Sequence, residues 1–126
     1  MKRIIIALVL ILICLAASMT EVFFISRNVT AYCDDIEQID TSMRKDDFEQ
    51  ALNLCADMND RWNKIAWKVD ALLIHDYVDG VGLSLAQMQR YIENGSLDLY
   101  FAESEKAKRA LASLKDSEYP TTENIF

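Results

Sequence analysis

The feature that most constrains this chain is the apolar run at its start, 4–17, which follows Lys2 and Arg3. The run reads IIIALVLILICLAA and holds no polar side chain other than Cys14. With its neighbours it approaches the roughly 17–25 residues that a membrane-spanning helix needs. Nothing downstream is apolar enough to cover such a segment inside a soluble protein. The run therefore predicts a chain that enters a membrane or an export route.

Two fates are open for this segment. An apolar core behind a basic start is also the pattern of a secretory signal peptide, and 16–18 (Ala-Ala-Ser) offers small residues for cleavage. Continuity favours the uncleaved anchor, because no Gly or Pro occurs between 4 and 43 and one helix can leave the membrane and continue. We predict a signal-anchor over 1–25 that contacts the lipid bilayer through 4–25. Secretion after cleavage is the alternative.

Charge sets the expected orientation and excludes some partners. Basic residues stay on the cytoplasmic side, so Lys2 and Arg3 predict a cytoplasmic N-terminus and an extracytoplasmic C-terminal domain. Beyond Glu21 there are 11 Lys and Arg against 19 Asp and Glu, a net charge of −8 (11 minus 19). Nucleic acid is excluded as a partner, because its binding depends on neutralising phosphates. The lack of a basic face also argues against a bundle that lies flat on anionic lipid.

Apolar residues recur at steps of three and four over 22–43, which is the spacing of one helical seam. The seam consists of Val22, Ile25, Val29, Tyr32, Ile36, Ile39 and Met43. The predicted exposed face carries Arg27, Asn28, Asp34, Asp35, Glu37 and Asp40. The polar stretch 41–47 breaks the seam, and a second apolar stripe at helical spacing predicts another helix from about 47 to 74.

Two of the three glycines fall in 75–82, which therefore predicts a connection. A shorter helix through 85–92 and a last one from 97 to about 114 complete the pattern, separated by the helix stop Asn94-Gly95. We predict an all-α fold in which the transmembrane helix continues into a small antiparallel bundle of about four helices. The bundle is expected over 26–118, followed by a C-terminal tail over 119–126.

Cys33 and Cys55 lie 11 residues either side of Arg44, where a turn is expected. An antiparallel hairpin sets them at one level, and outside the cytoplasm a disulfide can form. However, packed helix axes lie about 8–10 Å apart, beyond the usual reach of a disulfide. Two small buried hydrophobic side chains are the favoured interpretation, and the disulfide is the alternative.

His75 is the only histidine, and with Asp79 it could bind a metal or act as a general base. A zinc site usually recruits more nitrogen and sulfur ligands, so the favoured interpretation is that His75 closes a helix. The sequence contains no nucleophile elbow and no glycine-rich phosphate loop. We predict no catalytic residues, no metal and no cofactor, and hence no enzyme.

Trp67 lies off the apolar stripe of the second helix, and Ile125 and Phe126 give the tail an apolar tip. We predict that these three residues contact a protein partner. The leading hypothesis is a membrane-anchored, extracytoplasmic interaction or accessory module that serves another membrane or envelope protein. The alternative is an extracytoplasmic ligand-binding or metal-binding sensor centred on His75 and Asp79.

The residues that carry a family resemblance are Trp62, Trp67, His75, Asp79, Ser84, Leu85 and the closing 123–126 (ENIF). Together with the basic-apolar start, this arrangement resembles a small membrane-anchored, all-helical family of Gram-positive bacteria, domain of unknown function family 4363. The resemblance spans nearly the whole chain and implies an anchor, a helical fold and service to another membrane protein, and it supplies no activity that could be carried over to this chain. Tyr77 and Gly82 stand where that pattern has acids, which weighs against metal or catalytic chemistry in this stretch.

Overall fold

The computed structural model describes residues 1–72 and 75–117, and within them every regular element is an α-helix. The helices are α1 (Lys2–Arg44), α2 (Phe48–Leu72), α3 (His75–Glu93) and α4 (Leu97–Ser117). The prediction of an all-α fold with about four helices is confirmed. The predicted tail over 119–126 lies outside the described residues.

The first helix, α1, has two parts with different surroundings. It is uninterrupted for 43 residues, a length of about 65 Å at 1.5 Å per residue. Side chains 1–20 are exposed throughout, and an 18-residue window of mean hydropathy 2.6 makes the helix long and apolar enough to cross a membrane. From Ile25 to Met43 the predicted seam is buried, and only Val22 at its start is half-buried. An apolar rod thus runs directly into one wall of the bundle.

The four helices form a closed antiparallel bundle. The first helix packs on α2 and α4, and α3 also packs on α2 and α4, so each helix touches two neighbours. Side-chain contacts fix the register: Arg61 lies 2.8 Å from Asp35, and Asn59 lies 3.0 Å from Gln89. Side chains from all four helices fill the centre, and those with no exposed surface include Ile36, Ile39, Met43, Cys55, Met58, Leu85, Met88, Tyr100 and Leu111. Their burial drives folding through the hydrophobic effect.

Two turns of one type close the end of the bundle far from the apolar rod. After α1, the amide of Asp46 donates to Met43 and that of Asp47 to Ser42; after α3, the amides of Gly95 and Ser96 repeat the pattern. This is the Schellman arrangement, which places its key residue in the left-handed region. Asp46 (φ 57°) and Gly95 (φ 67°) hold that position. Asp47 then caps α2 by accepting the amide of Gln50 at 3.2 Å.

The prediction of a connection over 75–82 is wrong, because these residues form the first half of α3. Val78 and Val81 are buried in the core, and the two glycines sit within the helix. A Cβ at Gly82 would lie 3.2 Å from Nε1 of Trp62. Glycine at this position therefore allows close packing of α3 on α2 and does not end a helix.

The remaining boundaries shift by a few residues. The second helix, predicted to reach 74, is described as far as Leu72, and 73–74 lie outside the described residues. The last helix continues to Ser117 instead of about 114.

Candidate functional site

A buried polar cluster joins α1 to α4 around Asp40. The side chain of Asp40 is 2% exposed. Its Oδ1 accepts hydrogen bonds from the Tyr100 hydroxyl and the Ser104 hydroxyl, each at 2.7 Å. Its Oδ2 lies 2.8 Å from Nζ of Lys108, which also donates to Glu37 at 2.6 Å. Every oxygen of the buried carboxylate is thus paired, as a charge in the interior requires.

The prediction that Asp40 lies on the exposed face of the first helix is wrong, because Asp40 is buried. Asp40 follows Ile36 by four residues and precedes Met43 by three, which is the spacing of the buried seam itself. That spacing was the signal available in the sequence. An aspartate is usually predicted to be exposed to solvent, because it is rarely buried without a partner. The burial of Asp40 becomes favourable only through the three donors on α4.

The cluster has the electrostatics of a structural ion pair. Burial alone would lower the pKa of Lys108, but its bonds to Asp40 and Glu37 outweigh burial and raise that pKa above its usual value. Burial, together with the neighbouring Asp40 carboxylate, raises the pKa of Tyr100 far above its usual value. Lys108 therefore stays charged and Tyr100 stays protonated at neutral pH. Both side chains can then donate to Asp40 and hold α4 against α1.

A second polar contact joins α2 to α3. The side-chain amide of Asn59 donates to the carbonyl of Leu85 at 3.1 Å and to Oε1 of Gln89 at 3.0 Å. The hydroxyl of Ser84 is buried and has no hydrogen-bond partner among the described residues. The Asn59 amide therefore bridges α2 and α3, whereas the buried Ser84 hydroxyl of α3 is left unsatisfied.

The predicted His75/Asp79 site falls at the start of α3. His75 is the first residue of this helix, so the interpretation that it closes the preceding helix is wrong. Asp79 is exposed one turn later. Within the described residues, no group of three or more His, Cys, Asp or Glu side chains is arranged to hold a metal ion. The sensor hypothesis centred on this pair stays a prediction.

All three cysteines lie among the described residues and are free thiols. Cys55 is buried, with its sulfur 3.9 Å from the carbonyl of Leu85 on α3, and burial raises the pKa of its thiol to about 12. Cys33 is half-buried, and burial, followed by the charge of Asp34, raises the pKa of its thiol.

The two tryptophans have opposite environments. Trp62 is 3% exposed and packs edge-on against Tyr32, with ring centroids 5.3 Å apart. Trp67 is 68% exposed, and Nζ of Lys68 lies 5.5 Å from its ring centroid. Surface exposure of Trp67 is what a partner contact requires. The other predicted contacts, at 125–126, lie outside the described residues.

A groove of about 450 Å³ lies where the apolar rod meets the bundle. It is lined by Ala17, Thr20, Glu21 and Phe24 of α1 and by Lys68 of α2. Sequence reasoning did not find this groove, because its walls come from two helices more than 40 positions apart. We call it the junction groove. A smaller depression of about 250 Å³ lies between the same helices near the far end and includes Gln38 and Lys45.

The comparisons with known proteins bear on the family of the chain. No curated protein and no solved structure matches it significantly. The sequence pattern of the family described as "Domain of unknown function (DUF4363)" matches residues 21–125. The match begins where the exposed apolar part of α1 ends and takes in all four helices of the bundle. The chain therefore belongs to this family, as its tryptophan pair and closing residues predicted.

Proposed function

We propose that this protein is a membrane-anchored, extracytoplasmic accessory module that has no catalytic activity of its own and acts on another membrane or envelope protein. The observation that carries the proposal is the continuity of α1. Its exposed apolar part, 1–20, and its buried seam, which starts at Ile25, belong to one unbroken helix. Because no flexible linker separates them, the bundle keeps a fixed height and orientation above the membrane.

The register of the helices supports a partner within the same membrane. The second helix runs back toward the apolar rod, since Lys68 lines the junction groove together with Ala17. The last helix runs in the same direction, because Ser104 pairs with Asp40 and the later Lys108 also reaches Glu37. Trp67 and the end of α4 therefore lie at the membrane-proximal end. An exposed tryptophan at this level is well placed to contact a neighbouring membrane protein.

The buried chemistry supports a non-catalytic role. Among the described residues, the groups whose pKa departs most from its usual value are Cys55, Tyr100 and Lys108. Each of them makes packed contacts between helices, and none lines the junction groove. Structural networks between packed helices also perturb pKa values in this way.

The experiment is purification of the tagged full-length protein from its native membrane in mild detergent, with intact mass and partner identity measured together. We expect the mass of the uncut chain and a stoichiometric membrane protein attached to it. Trp67→Ser should release this partner. The matched control Leu99→Ser, which changes a half-exposed leucine of α4, should retain it. Both variants should keep the helical content of the wild type.

Two results would contradict the proposal. A chain whose mass begins near Met19, with no partner, would make the protein a secreted helical domain. Equal loss of the partner from the Trp67 and Leu99 variants would remove Trp67 from the contact surface.

A further inference from the structure

We propose that the junction groove binds a zwitterionic phospholipid that carries a primary amine, of the phosphatidylethanolamine class. The inference rests on the membrane anchor proposed above and assigns a ligand to a site that the partner hypothesis does not use. The groove volume of about 450 Å³ falls within the roughly 300–1,000 Å³ of typical small-ligand sites.

The groove lies at the level of the lipid headgroups. Glu21 follows Lys2 by 19 residues (21 minus 2), which is about 29 Å along a helix. The hydrocarbon core of a bilayer is about 30 Å thick. If Lys2 sits at one surface of the core, Glu21 therefore sits at the other, and the charged rim of the groove meets the headgroup layer.

The lower wall of the groove suits an acyl chain. Ala17 contributes apolar surface that continues the exposed apolar side chains of 4–17, and Phe24, three residues beyond Glu21, adds apolar surface on the bundle side of the groove. The Thr20 hydroxyl donates to the carbonyl of Ala16 at 2.9 Å, so its hydrogen bond is made within the helix. A hydrocarbon chain in this groove extends the lipid contact of the anchor without leaving a polar group unpaired.

The upper rim offers one cation and one anion. Lys68 and Glu21 both line the groove, and among the described residues neither forms an ion pair; Nζ of Lys68 lies 5.5 Å from the centroid of the Trp67 ring. A headgroup with a phosphate and a primary ammonium complements this arrangement, the phosphate on Lys68 and the ammonium on Glu21. A purely anionic headgroup would instead face the Glu21 carboxylate. A quaternary ammonium has no N–H to donate to it.

The chain contains a built-in reporter for this site. Trp67 lies beside Lys68 and is exposed, whereas Trp62 is buried in the core. A quencher carried by a lipid in the groove should reach the first ring and not the second. The variant Trp67→Phe leaves only the emission of Trp62 and supplies the background.

The test is tryptophan quenching of the full-length protein in phosphatidylcholine vesicles that contain a small fraction of lipid brominated near the headgroup. Brominated phosphatidylethanolamine should quench at a several-fold lower mole fraction than brominated phosphatidylglycerol or brominated phosphatidylcholine. Lys68→Gln should weaken quenching by phosphatidylethanolamine. Glu21→Gln should abolish the preference for it over the other two lipids. The control Lys64→Gln changes an exposed lysine of α2 outside the groove and should behave as the wild type.

Each other outcome overturns the lipid proposal. Equal quenching by the three lipids would mean only general contact with the bilayer. A preference for phosphatidylglycerol, or an equal effect of Lys64→Gln and Lys68→Gln, would mean attraction by surface charge. A protein that fails to float with the vesicles would refute the anchor and the lipid site together. A protein that inserts firmly but shows no lipid preference would refute the lipid site alone.

Discussion

Two interfaces on opposite sides of the bundle are held together by different chemistry. Between α1 and α4, the buried carboxylate of Asp40 pairs with three donors. Between α2 and α3, Trp62 approaches the backbone at Gly82 so closely that a Cβ there would lie 3.2 Å from its ring nitrogen. Removing one member of a buried ion pair destabilises the fold, because the remaining charge stays buried without a partner. Close steric packing fails when an atom is added. The two interfaces should therefore respond oppositely to loss and gain of atoms.

The largest expected effect is from removal of the buried carboxylate. Asp40→Ala leaves Lys108, Tyr100 and Ser104 without their acceptor and should lower the free energy of unfolding by about 3–5 kcal/mol. Urea unfolding of the full-length protein in mild detergent, followed by circular dichroism, measures this change. The control Asp34→Ala alters an exposed aspartate of α1 and should cost less than about 0.5 kcal/mol. Equal costs for the two variants would show that the Asp40 contacts do not stabilise the fold.

The second prediction adds atoms to the other interface. Gly82→Val inserts a branched side chain against Trp62 and should cost about 1–3 kcal/mol. The same change at Gly80, where a Cβ would have no neighbour within 4 Å, should be neutral or stabilise by a few tenths of a kcal/mol. The same unfolding experiment compares the two, and Trp62 emission reports the local disturbance. If the valines are equally tolerated, the close approach of the two helices is not tight in solution.

The third prediction concerns pH. The pKa of Cys55 rises from 9.0 to about 12 on folding, so above pH 9 the unfolded chain releases a proton that the folded chain retains. The contribution of this thiol to the free energy of unfolding is fully present below pH 9. Each further pH unit up to about 12 should lower the free energy of unfolding by up to about 1.4 kcal/mol. The raised pKa values of Tyr100 and Lys108 act in the same direction at higher pH.

Unfolding free energies measured from pH 7 to 10 test this expectation. They should fall above pH 9 in the wild type and fall less steeply in Cys55→Ala. An equally steep fall in both proteins would assign the alkaline loss to other groups. The folded Cys55 thiol should also resist maleimide at neutral pH and react once the chain is unfolded in urea.

The smallest expected effect comes from a pair of serines. The buried hydroxyl of Ser84 has no partner among the described residues, so Ser84→Ala should be neutral or stabilise by up to about 1 kcal/mol. Ser104→Ala removes the hydroxyl that donates a 2.7 Å hydrogen bond to Asp40 and should cost about 1–2 kcal/mol, because the acceptor that loses this donor is charged. Thermal unfolding of both variants gives the order. A loss at position 84 equal to that at 104 would point to a hydrogen bond of Ser84 in solution.

The sequence predicted those features that depend on one helix alone. The seam from Ile25 to Met43 follows from helical periodicity, and the unbroken α1 follows from the absence of Gly and Pro. Features that depend on two helices were missed. Gly82 was interpreted as part of a connection between helices, because its role in packing depends on Trp62, twenty positions away. Asp40 was predicted to be exposed to solvent, because the donors that make its burial favourable lie on α4. The junction groove depends likewise on α1 and α2 together.

The central claim is that one rigid helix joins the membrane to the bundle, and a distance measurement tests it most directly. Spin labels can be attached to native Cys14 and to an introduced Thr41→Cys, both exposed on α1, in a Cys33→Ala background. Buried Cys55, whose thiol pKa is about 12, should stay unlabelled. These positions are 27 residues apart (41 minus 14), or about 40 Å along a continuous helix.

Double electron–electron resonance in lipid vesicles should give one narrow distance near this value. A broad or shorter distribution would reveal a hinge between the apolar rod and the bundle, and the fixed mounting would be contradicted. Loss of the Cys14 label from the purified chain would mean that the leader is cleaved and that no anchor remains.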